Sequence, residues 1–314
     1  MTTRRAAVLA AMSCALSFAC AGTPAAARYC DSQSQLSAEQ KDKIFRFSAV
    51  IKAELERSGA GQALIARSGL DLSRFKIRYS HAGVSLKASP DTPWAVRQLY
   101  FACDEGKPLI FDQGLSAFLM GTNEPGLGYV SVLLLPAAEG GQLQRTALDK
   151  QQALALLGAE YSANAYPFSL DFQNCNQWVM ELLAAAWRQG SAGPMASPAS
   201  AMNQAPPAAS REQAQRWLRE AGYEPSVIEA GWMAGLTPFV PWLHRGGHPQ
   251  EDLDARRFRI SMPASIEGFV HSRVPTAQRL EFCHNSRHVV VRRGWEPIAD
   301  GCVPGPDDQV VRLD

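Results

Sequence analysis

The 314-residue chain is 46% hydrophobic and 19% charged, with a formal net charge of +1. That composition suffices for one large globular domain or two small ones. It lacks the basic footprint of a nucleic-acid binder; the N-terminal apolar run is too short for a comfortable membrane span, and no later segment is long and apolar enough to span a bilayer.

In chain order, Arg4 and Arg5, the apolar run Ala6 to Ala21 and the Ala25-Ala26-Ala27 site read as a secretory signal peptide over 1–27, cleaved after Ala27. A periplasmic or secreted protein is expected. Lipidation at Cys20 is the lesser alternative, because Ser17-Phe18-Ala19 lack the leucine that lipoproteins usually carry three positions upstream. Leu36 to Arg57 is an amphipathic helix, with Ser37 and Gln40 as a capping box and Ile44, Phe47, Ile51 and Leu55 at helical spacing. A short helix is expected to follow through Ile65 and Arg67. Lys76 to Leu86 alternates as a strand and pairs with a second strand, Trp94 to Ala102, across the turn cluster Ser89-Pro90-Asp91-Thr92-Pro93. Leu109 to Phe111 adds a short piece, and Tyr129 to Leu135 is a strongly apolar strand.

Glu139 to Leu157 is helical with a break near Asp149. Tyr161 to Phe172 is a loop. Cys175 to Arg188 is a helix with Asn174 as N-cap, Gln177 placed to bond back, and Val179, Leu182, Leu183 and Ala186 as its buried stripe. Gly190 to Ser210, rich in Ala, Ser, Pro and Gly, is a loop or linker. Arg211 to Ala221 is a helix. Phe258 to Ile260, Ser265 to His271 and Val289 to Arg292 are expected strands. From His244 onward there are about ten charges of each sign, which marks a solvated mixed surface rather than a polyanion site.

Two of the seven cysteines, Cys14 and Cys20, fall in the signal. The other five meet an oxidising compartment, where pairing is expected. Cys30 with Cys103 and Cys283 with Cys302 leave Cys175 over, although five cysteines allow other pairings. A thiol at a helix start sits in a field that favours thiolate, toward a pKa of about 3.5–7.5 when helix and histidine act together. The free N–H groups of that first turn can hold an oxyanion. Cysteine is equally at home as a small buried hydrophobe.

His81 is the only histidine before position 244 and lies mid-strand among small neighbours. It is the candidate base, with a core histidine bonded to a carbonyl as the bland reading. Gln98, on the neighbouring strand, has the amide oxygen to orient its ring. No metal is assigned. His244 and His248 are separated by Gly246-Gly247, and Cys283, His284, His288 and Cys302 form a zinc set only if the disulfide is absent. There is no H-E-x-x-H, G-x-S-x-G or P-loop pattern.

Tyr79-Ser80-His81-Ala82-Gly83-Val84, Phe111-Asp112-Gln113-Gly114-Leu115, Tyr166-Pro167-Phe168-Ser169 and Gln173-Asn174-Cys175-Asn176-Gln177-Trp178-Val179 resemble an uncharacterised family of exported proteobacterial proteins over residues 28 to 270. More distantly, His-x-Gly-Val followed by Asn-Cys-x-x-Trp-Val resembles the circularly permuted branch of NlpC-type papain-like thiol hydrolases. That superfamily includes peptidoglycan peptidases and lipid acyltransferases. The resemblance implies Cys175 as nucleophile and His81 as base. The third polar residue of that branch is usually His or Asn, and Gln98 departs from it.

The expectation is therefore an α+β fold: an antiparallel sheet packed against the nucleophile helix in a permuted papain-like core. Its parts are a signal peptide (1–27), the core (28–189), the Ala/Ser/Pro-rich loop (190–210) and a C-terminal helix and β-hairpin extension (211–314). The expected function is thiol hydrolysis, as an amidase, peptidase or acyltransferase without cofactor, on a peptidoglycan peptide or an acyl substrate. The alternative is a catalytically inactive envelope binding module on the same fold.

Overall fold

The computed structural model describes residues 36–103, 105–122, 124–191 and 209–313. The expected signal peptide, Cys30 and most of the 190–210 loop lie outside them. The fold is mixed α+β and centres on one eight-stranded antiparallel sheet. Its strands are β1 (Gln62–Arg67), β2 (His81–Leu86), β3 (Ala95–Ala102), β4 (Lys107–Gln113), β5 (Gly128–Leu134), β8 (Gln278–His284), β9 (His288–Arg293) and β10 (Gln309–Arg312), in the order β10-β9-β8-β5-β1-β2-β3-β4. β6 (Ser226–Glu229) and β7 (Arg257–Ile260) pair separately as a two-stranded ribbon.

Both faces of the large sheet are covered. Helix α1 (Ala38–Arg57) lays Ile44, Phe47, Ile51 and Leu55 on one face, against Ala63, Ile65, Val96, Val130, Val132 and Phe282. Its capping box at Ser37 and Gln40 forms as expected. The short helix α2 (Leu115–Leu119) joins the same layer through Phe118. On the other face, α3 (Ala137–Leu148), α4 (Lys150–Ala155), α5 (Cys175–Ser191), α6 (Arg211–Glu220) and α8 (Pro263–Arg273) pack over Leu64, Ala66, Ala82, Val84, Leu86 and Leu99. Helix α7 (Gln250–Asp254) packs against β7. Among the described residues, no helix is long and apolar enough to cross a membrane.

Two sequence readings are corrected. The expected short helix through Ile65 and Arg67 is strand β1, hydrogen-bonded between β2 and β5. Because both faces of β1 are buried, its sequence carries no apolar–polar alternation to announce a strand. Ser265 to His271, expected as a strand, lies in helix α8. Pro263 begins that helix, and Ile266, Phe269 and Val270 fall on its buried side. The break near Asp149 is observed: its carboxylate caps α4 through the amides of Gln151 and Gln152.

Cys283 on β8 is bridged to Cys302 beyond β9, with Cα atoms 5.6 Å apart. This removes the zinc set. His284 instead packs on Phe47, ring centroids 4.6 Å apart, and His288 bonds the Cys302 carbonyl at 3.2 Å. Cys103 is disulfide-bonded, and its expected partner, Cys30, lies outside the described residues.

Candidate active site

Helix α5 begins where the sequence places it. The Asn174 side chain accepts the Gln177 amide at 2.7 Å and caps the first turn. Gln177 does not complete a capping box. Its amide donates to the Pro167 carbonyl and to Glu181. The next residue ties the helix start to the histidine strand: Asn176 Nδ2 donates to the Ser80 carbonyl at 3.1 Å. Cys175 therefore stands at the entry to β2, with its thiol against the backbone N–H groups of Asn176 and Ala82. It is buried and is the free cysteine among the described residues.

His81 opens β2. Its Nε2 is hydrogen-bonded to Gln98 Oε1, and Gln98 Nε2 donates to Gln113 Oε1 at 2.8 Å. β2–β3 pairing extends only from Leu86–Ala95 to Val84–Arg97. Past it the contact runs through side chains, the imidazole bonding Gln98, and β2 stays so close to β3 that a Cβ at Gly83 would stand 2.9 Å from the Arg97 carbonyl oxygen. Strand alternation turns His81, with Gly83 and Ser85, toward the α1–α2 face. Its ring lies 5.7 Å from that of Phe118. Cys175 arrives from the α5 face, around the end of the strand. Among the described residues no hydrogen bond joins the sulfur to the ring, although the N–H of Ala82, the residue after His81, acts to lower the thiol pKa.

Arg67, the β1 residue paired with His81, was not singled out by the sequence reading. It lies in the segment misread as helix. The apolar run Ala63 to Ala66 following Gly61 is the signal for a buried strand that would have located it. Its guanidinium donates to the carbonyls of Gly121 and Ser68 and stands 5.1 Å from the Phe118 ring centroid.

These groups share a cavity of about 790 Å³, within the range of about 300–1,000 Å³ typical of small-ligand sites. His81, Gln98, Cys175, Asn176 and Arg67 line it on one side. Ile228, Met233, Leu236, Val240, Phe258 and Ile260 line the other. The second wall is built by the β6–β7 ribbon and the 3₁₀ segment Gly231–Phe239.

Electrostatics hold the two reactive side chains neutral. Burial pushes the Cys175 thiol up to about 11, against the smaller opposing pull of the Asn176 N–H and the Arg67 charge. Burial and then Arg67 push the His81 imidazole down to about 3, opposed by its bond to Gln98. The low thiol pKa expected from the helix field is thus overridden by desolvation. Among the described residues, no group of three His, Cys, Asp or Glu side chains is arranged to hold a metal ion.

A thiol at a capped helix start, an amide-tethered imidazole on the adjoining strand and a shared apolar cavity define an α+β protein with a Cys–His pocket. The profile of a family described as an uncharacterised protein conserved in bacteria (DUF2145) matches residues 54–270, which span α5, β2 and most of the cavity, and the chain belongs to that family. No curated protein matches the chain, and no solved structure matches it.

Proposed function

We propose that the protein is an exported thiol hydrolase on a permuted papain-like core, with Cys175 as nucleophile, His81 as base and Gln98 as the positioning residue. The observation that carries this reading is the sulfur's place at the N-terminus of α5, against the amides of Asn176 and Ala82, in the cavity that His81 also lines. Because the pair rests neutral, the reaction begins by general-base catalysis rather than from a preformed thiolate. His81 takes the thiol proton as sulfur bonds the carbonyl carbon. The N–H groups of the helix start hold the oxyanion. The carbon–oxygen or carbon–nitrogen bond breaks, and the leaving alcohol or amine takes the proton from His81. Water, deprotonated by His81, then hydrolyses the thioester and frees the thiol. The disulfide-bonded state of Cys103, Cys283 and Cys302 supports export to an oxidising compartment.

The test is acylation of the protein by 4-nitrophenyl acetate, read by intact mass and peptide mapping. Acyl transfer to Cys175 that falls at least tenfold in His81→Ala supports the reading. Equal rates in the two proteins overturn it. A second reading, an inactive envelope binding module, is favoured by the unbonded, neutral Cys–His pair. It predicts the equal-rate outcome.

A further inference from the structure

We propose that the cavity binds a long-chain acyl amphiphile with an anionic group, the chain lying along the β6–β7 wall and the polar end beside Cys175 and Arg67. This names the ligand class of the same site and rests on that cavity being the functional one, whichever chemistry follows.

Three observations carry it. The first is the division of the lining. Leu70, Leu72 and Phe75, from the β1–β2 connection, line the cavity together with the apolar side chains of the ribbon and the 3₁₀ segment, and Leu72 packs on the ribbon core itself. Hydrogen bonds link His81, Gln98 and Gln113 to one another and Asn176 to Ser80 in the polar part of the lining, while the Asn164 and Thr237 side chains, also in the lining, are bonded within the protein. A chain with a single polar terminus matches that gradient. A peptide, polar along its whole backbone, would leave its amides unpaired in the apolar half.

The second is charge. Arg67 and Arg74 line the cavity, and among the described residues no carboxylate does. The Arg67 charge reaches both reactive side chains, acting against imidazolium at His81 and in favour of thiolate at Cys175. The same field favours an anionic ligand group and opposes a cationic one.

The third is the rim. The segment Gly231–Phe239 presents Met233 and Leu236 to the cavity, while Trp232 and Phe239 are 69% and 81% exposed. One short segment thus carries large apolar side chains both in the cavity lining and in solvent. An amphiphile leaving a micelle or bilayer keeps its chain in apolar contact along that segment.

The test uses the mature chain with Cys175→Ala, which binds without turning over, and 11-(dansylamino)undecanoate as a fluorescent probe. The expected result is saturable probe binding that is displaced by dodecanoate, with affinity rising about threefold to fourfold per added methylene over the first several carbons. Dodecyltrimethylammonium should compete at least tenfold more weakly. Leu236→Asp places a charge on the apolar wall at a position already 45% exposed. Circular dichroism checks its fold, and it should weaken dodecanoate at least tenfold. Absence of probe binding by folded Cys175→Ala protein overturns the inference. So does a flat chain-length profile, or displacement by a muramyl dipeptide but not by dodecanoate. Acetylation of Cys175 in the wild type is read separately, so the ligand class and the thiol chemistry fail independently.

Discussion

Two stations on helix α5 carry buried reactive groups and treat them in opposite ways. Six residues beyond Cys175, Glu181 is fully buried and satisfied from every side. Arg211 donates at 3.0 Å, Gln215 at 2.7 Å, Gln173 at 2.5 Å and Gln177 at 3.1 Å. Those donors come from α6, from α5 itself and from the loop before it, so the carboxylate ties three segments together. Burial pushes its pKa up, while Arg211 and the amides oppose the shift. At the helix start, by contrast, the thiol and imidazole are neutral, unbonded to each other and open to a cavity. A buried charge that serves structure is surrounded by donors. The proposed Cys–His pair is left with hydrogen-bonding capacity to spare.

That contrast is sharpest under substitution. Cys175→Ala should abolish ester acylation, a loss above about 10³-fold, while changing stability by only about 1 kcal/mol because few atoms are removed. Intact-mass kinetics and urea unfolding read the two effects. His81→Ala should slow acylation about 10²–10⁴-fold, the range of a positioned general base. If both variants acylate like the wild type, the helix start is as structural as Glu181.

Glu181→Ala tests the other station. Removing the carboxylate strands the Arg211 guanidinium, itself about nine-tenths buried, and should cost about 3–5 kcal/mol in urea unfolding. Glu181→Gln keeps the shape and part of the hydrogen bonding, so its cost should be smaller. A negligible loss in Glu181→Ala would mean that α6 and the 156–173 loop do not depend on the carboxylate.

The same contrast explains what was legible in the sequence. Helix α1, the β2–β3 pair and the start of α5 carry local signals: a capping box, a turn cluster and an Asn N-cap. Cysteine arithmetic and compartment make Cys283–Cys302 an expected pairing but leave others open, and the structure shows that bridge. Strand β1 was misread because a strand buried on both faces loses its two-residue period. The misreading hid Arg67, the charge nearest the site. The apolar wall was equally hidden. Ile228, Met233, Leu236, Phe258 and Ile260 are far in sequence from Cys175, and no local pattern announces that they face it. Helix α8 read as a strand because Ile266, Phe269 and Val270 fit a short apolar run in either state, with only Pro263 arguing for the helix.

Acid should separate the two kinds of buried group further. His284, 3% exposed and packed on Phe47, has its pKa pushed down to about 4 by burial, opposed by the Asn285 backbone. Its unfolded value is about 6.5, so the unfolded chain binds the extra proton. The stability from keeping it neutral is present above pH 6.5 and is lost as pH falls toward 4. The loss should be about 2–3 kcal/mol between pH 7 and 4. His81 adds to the same slope down to about pH 3. Cys175 works in the other direction: its raised pKa means stability falls as pH climbs from about 9 to 11. Urea unfolding of His284→Phe at pH 7 and pH 4.5 should show a shallower acid slope than the wild type. An unchanged slope would assign acid sensitivity to other groups.

The smallest expected effect is the most specific to the pair. Gln98 bonds the His81 ring through a neutral oxygen and is held by Gln113. Gln98→Glu sets a carboxylate at the same place, and an adjacent negative charge favours imidazolium. The His81 pKa should rise from about 3 toward the ordinary histidine range, visible as ring-proton shifts in an NMR titration. A base better able to hold a proton in the transition state should raise acylation at neutral pH by up to about tenfold, or about 1.4 kcal/mol. An altered titration with unchanged acylation would place Gln98 on the ring but the ring outside the reaction, as in a binding module. A titration that does not move would remove Gln98 from the site altogether.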